Sequence, residues 1–520
     1  MAHPFQRLAL PCLLACLMTF GGQAQAAQIY AGDGLDVRWD TTLRYSIALR
    51  PQSRSGELLS YINGDDGDRN FAPGPVSDRL DLVTKLDIAA GDVGLHASAA
   101  AWYDAAYRGH TDNSSPATDN TASPARQFAP AVRDLQGQHA ELLDAFAYGN
   151  FALGQTTVSV RAGRQTLLGG ESRFFDTLSI AAAMAPTDYL RTMTDQNGYA
   201  GNMFLPVTQA SVTLQPLPWF SLTLYNQFEW RASRQPGDGS YLSYVDYVGT
   251  GAVRLFLTPN QYLARLPESG PASGQKGVML HANVADMDLG IYALRFRAKD
   301  PVAVLLPDPA LAGQAGAIGN YRLVYPPGLN LFGASFSKDL GDAILAGELS
   351  ARESMPLVNY DARAPQYAAP TRFPFYARGD TLHAQISVAA ALAESPLWDK
   401  ADLTTEIASD HILNLSGVAP GGASYSRFAL KGRARIEPHY FRVLPNLDVT
   451  GMAELGVNLT GRSFTYYAQN SGTGDFRVGL SATYRSAWKA GISYAGFLGP
   501  PSRQPLADRD FLLLSLERTF

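Results

Sequence analysis

Three oxygen-bearing side chains in an acidic, glycine-rich segment have the spacing that begins a calcium-binding loop. Asp66, Asp68 and Asn70 follow the D-x-D-x-N pattern, and carboxylate and amide oxygens are the ligands that Ca²⁺ prefers. The rest of the pattern is missing, because Phe71 stands in place of the glycine and Ser77 in place of the bidentate glutamate. Calcium is therefore one alternative at this loop, and an acidic surface loop in a protein without cofactors is the simpler one.

No recognisable catalytic motif accompanies these residues. The sequence contains neither the G-x-S-x-G turn of serine hydrolases nor the H-E-x-x-H motif of zinc proteases. Its eight histidines are scattered along the chain. Asp410 and His411 are adjacent, so they point to opposite faces of a strand and cannot cooperate. We therefore do not expect an enzyme.

Charged residues recur instead at alternate positions of several segments, which places them on one face of a strand. If the strand with the acidic row pairs with the basic strand that follows it, their charges form a ladder. Such rows either line a polar wall or select a charged solute. The basic rows are Arg295, Arg297 and Lys299, and Arg427, Lys431, Arg433 and Arg435 on a strand at 425–436; the acidic row is Asp402, Glu406 and Asp410.

Alternation of apolar and polar residues runs along most of the chain and predicts β-strands. It is clearest in 36–49, 380–392 and 447–459. A soluble β-sandwich also alternates, but strands of this length suit a tilted crossing of a bilayer. Short connections such as 91–92 separate long ones such as 107–140. The pattern predicts an all-β protein, a transmembrane antiparallel β-barrel of the outer membrane with about 18 strands (16–18), short periplasmic turns and long extracellular loops.

Residues 511–520 fit the last strand of such a barrel. Leu512, Leu514 and Leu516 lie on one face, and the segment ends on Phe520. An aromatic residue at this position is how bacterial barrels present themselves to the barrel-assembly machinery, so that machinery, the lipid bilayer and lipopolysaccharide are expected partners. An ordinary strand of a soluble protein is the alternative interpretation.

Residues 1–26 have the features of a secretory signal peptide. Arg7 precedes an apolar stretch, and residues 24–26 form an A-x-A cleavage site; a lipoprotein cleaved before Cys16 is the alternative. Both cysteines lie in this segment, so residues 27–520, the predicted barrel, have no disulfide and no zinc–thiolate site. Without Arg7 the chain has 42 − 1 = 41 basic and 47 acidic residues, a net charge of −6. We expect no nucleic-acid partner.

The lumen of so large a barrel is too wide for wall side chains to fill, and an arginine or lysine facing lipid costs about 2–4 kcal/mol. The charged rows must therefore face a lumen that is either open or plugged. Segment 165–203 is the candidate plug, because it lacks alternation and carries apolar residues around a short helix predicted at 176–185. The alternative is an external loop packed on itself. The constriction candidates are Arg164, Glu171, Arg173, Phe174, Phe175 and Asp176.

Four segments, DDGDRNF, VSDRLDL, AAAWYDAAY and GRQTLLGGES, occur in this order within residues 65–172. In them, and along nearly the whole chain, the sequence resembles the proteobacterial outer-membrane family called domain of unknown function 1302 (DUF1302). The family has no assigned reaction. The resemblance implies a channel or envelope component whose genes often accompany a lipoprotein-like protein and an inner-membrane permease of the resistance–nodulation–division type.

Two functions follow as hypotheses. The first is an outer-membrane channel for the passive passage of a small hydrophobic or amphipathic solute through a plugged, charge-lined barrel. The second is a docking barrel in a trans-envelope complex with a periplasmic lipoprotein and an inner-membrane permease. Conductance would favour the first, and strong association with a periplasmic partner without conductance would favour the second.

Overall fold

The computed structural model describes residues 27–32, 34–194, 203–268, 274–357, 377–415, 426–463 and 470–520. The predicted signal peptide at 1–26 and residues 195–202 of the candidate plug lie outside these ranges. Among the described residues, no helix is long and apolar enough to cross a membrane.

β-Strands make up most of the regular secondary structure of the described chain. The strands are β1 Ala27–Gly32, β2 Leu35–Arg50, β3 Gly74–Ala90, β4 Val93–Asp104, β5 Gln138–Leu153, β6 Thr156–Gln165, β7 Val207–Leu217, β8 Phe220–Gln227, β9 Arg254–Thr258, β10 Gln261–Arg265, β11 Gln275–Val284, β12 Met287–Phe296, β13 Val302–Pro307, β14 Gly316–Val324, β15 Leu329–Asp339, β16 Ala343–Pro356, β17 Arg378–Leu392, β18 Lys400–Ile412, β19 Phe428–Leu444, β20 Leu447–Thr460, β21 Gly474–Tyr484, β22 Trp488–Leu498 and β23 Phe511–Thr519. Helices are short and confined to connections; they are Leu58–Ser60, Asp66–Arg69, Ala105–Tyr107, Pro130–Val132, Arg133–Gly137, Asp176–Leu178, Ile180–Met184, Tyr189–Thr194 and Pro309–Leu311.

Eighteen of these strands form one closed antiparallel barrel. They are β2 to β8, β11, β12 and β15 to β23, each paired with the next, and β23 returns to β2 with Ser46 opposite Ser515. The predicted strand number is therefore confirmed. Because the number is even, β2 begins and β23 ends at the same rim, where the Phe520 N–H donates to the Thr41 carbonyl over 2.9 Å.

The outward face of the barrel is apolar. Ile407, Leu455 and Leu480 are half exposed there (51%, 48% and 57%). The residues that pair with them on the neighbouring strands are all apolar or glycine. Arg518 also points outward, but its guanidinium lies over the rings of Trp488 and Phe520 at 4.9 and 4.5 Å from their centroids. An apolar outer band around a closed barrel is the architecture of transmembrane outer-membrane barrels.

Replacing Ile407 with arginine is expected to destabilise the barrel in lipid by about 2–4 kcal/mol, because the side chain lies near the middle of β18 on the lipid-facing side. The matched control is Thr404→Arg on the same strand, whose side chain lines a water-accessible cavity in the lumen. Urea unfolding in lipid vesicles measures both changes. Equal losses for the two variants would contradict this assignment of faces.

The connections alternate in length as predicted. Residues 91–92, 154–155 and 285–286 join strands at one rim, and Ala285 and Asp286 both have positive φ (52° and 58°), as two-residue hairpins require. Long loops lie at the opposite rim, which is the extracellular one.

Two of the predicted loops, 233–275 and 300–328, contain a second sheet that sequence analysis missed. It has the order β13-β14-β10-β9, with a parallel pair between β10 and β14. Tyr247, Leu255 and Tyr321 are buried in its core. Its strands have only 5 to 9 residues, so their alternation is too brief to separate them from ordinary loop sequence.

Candidate functional site

The described part of segment 165–203 folds into the barrel lumen and forms a plug, which we define as residues 166–194. Residues 176–185, predicted as one helix, form two short ones, Asp176–Leu178 and Ile180–Met184. Ser179 separates them, and its hydroxyl accepts a hydrogen bond from the Ala182 N–H as an N-cap. The helix ends before Pro186, which cannot continue it.

Apolar burial holds one side of the plug against the wall. Ile180 and Met184, both almost fully buried, pack on inward-facing residues of β8, β11, β12 and β15. Phe175 and Leu178 pack on Ala408 of β18. The wall residues that share this hydrophobic cluster with the second helix are Tyr225, Met279, Tyr292, Leu294, Phe296, Leu329 and Leu331. Fully burying one such side chain contributes about 1.5–3 kcal/mol, so the apolar residues that an external loop would expose stabilise the seated plug.

Glu348 of β16 is the first carboxylate that anchors the plug. One of its oxygens accepts the Glu171 N–H at 2.7 Å, and the other accepts the Ile180 N–H at 2.9 Å and the Gln385 amide at 2.7 Å. Gly170 lies so close that a Cβ there would stand 2.1 Å from the carboxylate, and its φ of +91° also favours glycine. The glycine pair in GRQTLLGGES thus permits this approach.

Glu406 of β18 is the second anchor. Its carboxylate accepts the backbone N–H groups of Phe174 at 2.5 Å and Arg173 at 3.1 Å, and the hydroxyl of Ser172 at 3.1 Å. A buried carboxylate with three donors satisfies backbone groups that would otherwise be unpaired in the lumen. The plug is therefore fixed at residues 171–174 as well as at its helix.

Basic and amide side chains bind the carbonyl groups of the plug. Arg352 donates to the Leu178 and Ser179 carbonyls at 2.5 and 2.9 Å. Lys299 donates to the Ala183 carbonyl at 2.7 Å, and Gln227 donates to the Met184 carbonyl at 2.6 Å. The last carbonyls of a short helix have no partners within it. Here these side chains of the barrel donate the missing hydrogen bonds.

Two cavities lie on either side of the plug residues 173–174. The loop-side cavity has a volume of about 300 Å³ and opens toward the long loops, and the turn-side cavity has a volume of about 580 Å³ and opens toward the short turns. Arg173, Phe174 and Arg435 line both of them. We call these three residues the constriction, because they border both cavities and so lie between them.

The two cavities have opposite charge balance. The loop-side cavity is lined by five basic residues (Arg173, Lys431, Arg433, Arg435 and Arg477) and two acidic ones (Glu454 and Asp475). The turn-side cavity is lined by two basic residues (Arg173 and Arg435) and four acidic ones (Asp339, Asp342, Asp402 and Glu437). Aromatic rings adjoin the cations: Lys431 lies 4.5 Å from the Phe175 ring centroid, and Arg435 lies 5.5 Å from that of Phe174.

The ion pairs of this wall differ from the predicted ladder. Glu406 and Arg433 are in register across β18 and β19, but Glu406 binds the plug, and Arg433 pairs with Glu454 and, at 2.6 Å, with Asp475. Asp402 pairs with Lys400 and His439, and Asp410 accepts a hydrogen bond from Ser463 at 2.5 Å. Within the described residues, neither Arg173 nor Arg477 forms an ion pair.

The constriction candidates separate into four groups. Arg173, Phe174 and Phe175 line the loop-side cavity. Glu171 acts through its backbone N–H, which binds Glu348. Arg164 does not take part: Gln165 is the buried residue at this end of β6, and Arg164, on the opposite face, lies 3.9 Å from Glu229. Asp176 begins a short helix, and its side chain lies outside the described part of the structure.

The row Arg295, Arg297 and Lys299 is not a lumen row. The lumen face of β12 is apolar because the plug covers it, so Arg295 points outward and is exposed. Arg297 and Lys299 lie beyond the end of β12, where Arg297 donates to the Tyr325 carbonyl at 2.7 Å and Lys299 reaches the plug through the Ala183 carbonyl. Arg427 likewise falls outside its predicted row, since it precedes β19 and is exposed.

The D-x-D-x-N residues do not converge on one point. Asp68 pairs with Arg50 at 2.7 Å and with Arg509 at 3.4 Å. Asn70 donates to the Gly239 carbonyl at 2.8 Å. Asp66 instead lies beside Asp65 and Asp246, and the three have carboxylate oxygens within 4.8 Å of one another. Asp66 begins a helical turn, and the three side chains of the pattern therefore have different partners.

Sequence reasoning missed the wall residues that bind the plug, namely Glu348, Arg352 and Gln385. They do lie at alternate positions of β16 and β17 and so share the lumen face. Polar residues at such positions are typical of any barrel lining, so alternation alone could not distinguish an anchor from a lining residue.

The comparisons with known proteins give the family of the chain and the solved structures to which it is similar. The profile of a family described as a protein of unknown function (DUF1302) matches residues 7–520. No curated protein matches the sequence significantly. Among solved structures, the chain is similar to OccAB3 of Acinetobacter baumannii (9% identity, 93% of this chain and 99% of that one, TM-score 0.42) and to a BenF-like porin of Pseudomonas fluorescens Pf-5 (10%, 93% and 98%, TM-score 0.43). It is also similar to the outer membrane channel DcaP of Acinetobacter baumannii (10%, 94% and 99%, TM-score 0.38).

Proposed function

The chain belongs to the DUF1302 family, whose function is unknown, and from that premise we propose that it is a passive outer-membrane channel for small amphipathic anions. The observation that supports this most is the constriction, where the loop-side and turn-side cavities share Arg173, Phe174 and Arg435. On this proposal the protein passes solutes and catalyses no reaction. Its plug narrows the solute path through the lumen without filling it.

The loop-side cavity fits the two halves of an amphipathic anion. Its excess of three basic side chains attracts a carboxylate or similar head group, and Arg173 and Arg477 are not engaged in ion pairs with described residues. The rings of Phe174, Phe175 and Phe476 offer an apolar surface for the rest of the molecule. A volume of about 300 Å³ is at the lower end of small-molecule sites.

The turn-side cavity favours release. Its four acidic residues repel an anion that has passed Arg173, and its larger volume lets water screen the remaining charge. A conducting path needs binding that is strong enough to admit the solute and weak enough to let it leave. A basic cavity followed by an acidic one provides both properties in series.

Reversing the charge of Arg173 is expected to lower the permeability ratio of anions to cations by about thirtyfold. A unit charge about 8 Å away in water contributes about 0.5 kcal/mol, so a reversal raises the energy of an anion by about 1 kcal/mol and lowers that of a cation by about as much. The measurement is the reversal potential of Arg173→Glu in planar bilayers under a KCl gradient.

Arg427→Glu is the matched control for this variant, because it makes the same charge change at an exposed residue outside both cavities. Liposome swelling then compares benzoate with the neutral benzyl alcohol in the unmodified protein. Cation selectivity of the unmodified channel, or an equal shift in both variants, would overturn the proposal. If the protein shows no conductance but binds a periplasmic lipoprotein and an inner-membrane permease, the docking role would be favoured instead.

A further inference from the structure

We call the long loops 51–73, 105–137, 228–253 and 499–510 the extracellular cap. The cap contains a compact group of carboxylates that the proposed channel does not use. Asp65 and Asp66 lie in the loop after β2, and Asp246 comes from the loop before β9. All three are at most 1% exposed, and one oxygen from each lies within 4.8 Å of the others. Oxygens bound to one Ca²⁺ at about 2.3–2.6 Å stand at most about 5 Å apart, so the spacing matches a shared cation.

Two of these carboxylates have an oxygen without a protein donor. Asp65 Oδ1 and Asp66 Oδ1 are buried and have no hydrogen-bond partner among the described residues. The other Asp66 oxygen accepts the Asn120 N–H at 2.7 Å, and the amide oxygen of Asn120 is also buried without a donor. Buried acceptors are normally paired. Unpaired oxygens from two loops therefore point to a missing positive ligand.

The local basic residues only partly balance this charge. Arg69 pairs with Asp65 at 2.5 Å, while Arg509 is engaged by Asp68 and Asp508 at 3.4 Å each. Among the described residues, neither Asp66 nor Asp246 forms an ion pair, so a divalent cation would balance charge that the arginines leave.

We propose that Asp65, Asp66 and Asp246 form a Ca²⁺ site that joins the extracellular loops, with Asn120 as a neutral fourth ligand. All four residues offer the hard oxygen ligands that Ca²⁺ takes. The site connects three loops, because the Asp66 N–H already donates to Asp246 at 2.8 Å and the Asn120 N–H donates to Asp66. It would fix the cap above the barrel mouth, and it does not depend on what the channel conducts.

The test is direct binding of Ca²⁺ to the refolded full chain in detergent free of lipopolysaccharide, after treatment with EGTA. We expect about one ion per chain by calorimetry, greater resistance of the loops to limited proteolysis, and at least tenfold weaker binding in Asp65→Asn and Asp246→Asn. The matched control is Asp134→Asn, since Asp134 is an exposed acid of the same cap. Circular dichroism verifies that each variant retains its barrel.

Three results would overturn the site. The first is a folded, EGTA-treated barrel that binds no Ca²⁺ at millimolar concentration. The second is equal binding by the control and by both site variants, which would place the ion elsewhere on the surface. If Asp246→Asn raises loop protection in EGTA while Ca²⁺ has no effect on the unmodified protein, the group is a proton-bearing acidic cluster and the proposal fails.

Discussion

Replacing residues 171–185 with a Gly/Ser linker of the same length is expected to raise the single-channel conductance several-fold. The replacement removes Ile180 and Met184 from the apolar contact with the wall, and the linker, although it keeps backbone N–H groups, no longer holds them at Glu348 and Glu406. A flexible chain cannot recover these contacts, because ordering it in the lumen costs about 1–2 kcal/mol per residue. The loop-side and turn-side cavities would then merge into one wide pore.

Planar-bilayer recordings measure this change, and two further variants give it specificity. A Gly/Ser replacement of 308–313, an exposed turn of the extracellular sheet, is the control and should leave the conductance unchanged. Glu348→Gln combined with Glu406→Gln should give an intermediate rise, since an amide offers one acceptor oxygen where the carboxylate had two. An unaltered conductance in the linker variant would exclude the plug as the element that limits flow.

Arg509→Met is expected to destabilise the extracellular cap by about 3–5 kcal/mol, because it leaves buried carboxylates without a counter-charge. Arg509 is fully buried and lies between Asp68 and Asp508, which Arg50 also contacts at 2.7 and 3.1 Å. Its guanidinium also donates to the Tyr241 carbonyl. Two acids and two bases become two acids and one base in a region without water access.

A double-mutant cycle separates charge balance from lost packing. Asp508→Asn added to Arg509→Met restores one acid to one base and should recover part of the loss. Thermal transitions and protease sensitivity of the extracellular loops report on the cap, and the strands serve as an internal reference. If the double variant is as unstable as the sum of the two single ones, packing and not electrostatics explains the effect.

The strands could be predicted from the sequence because alternation is a local signal. In β20, Leu455 points outward and Glu454 points inward, and each orientation can be read from two neighbouring letters. The same rule failed at Arg295. There the lumen face is apolar, since it contacts the plug, and the rule that charged residues face inward assigned the wrong side. Local alternation contains no information about what fills the lumen.

The site was predictable only in part, for the same reason. Arg173, Phe174 and Phe175 could be found because one segment lacked alternation and carried apolar residues. Glu348 and Asp246 could not, because each acquires its partners from residues far away in the chain, as when Asp246 meets Asp66. Contacts between residues that are distant in the chain depend on the paths of the loops. These paths leave no periodic signal in a single sequence.

The shared lining of the two cavities has an electrical consequence. When current passes through resistances in series, most of the applied voltage drops across the narrowest one. In the proposed channel this is the constriction, which contains Arg173 and Arg435. A full unit charge crossing the membrane potential exchanges about 2.3 kcal/mol per 100 mV, so even a small displacement of the Arg173 guanidinium couples to much of the field. In the proposed channel, the residues that sort solutes are therefore also those on which a voltage applied across a planar bilayer acts most strongly.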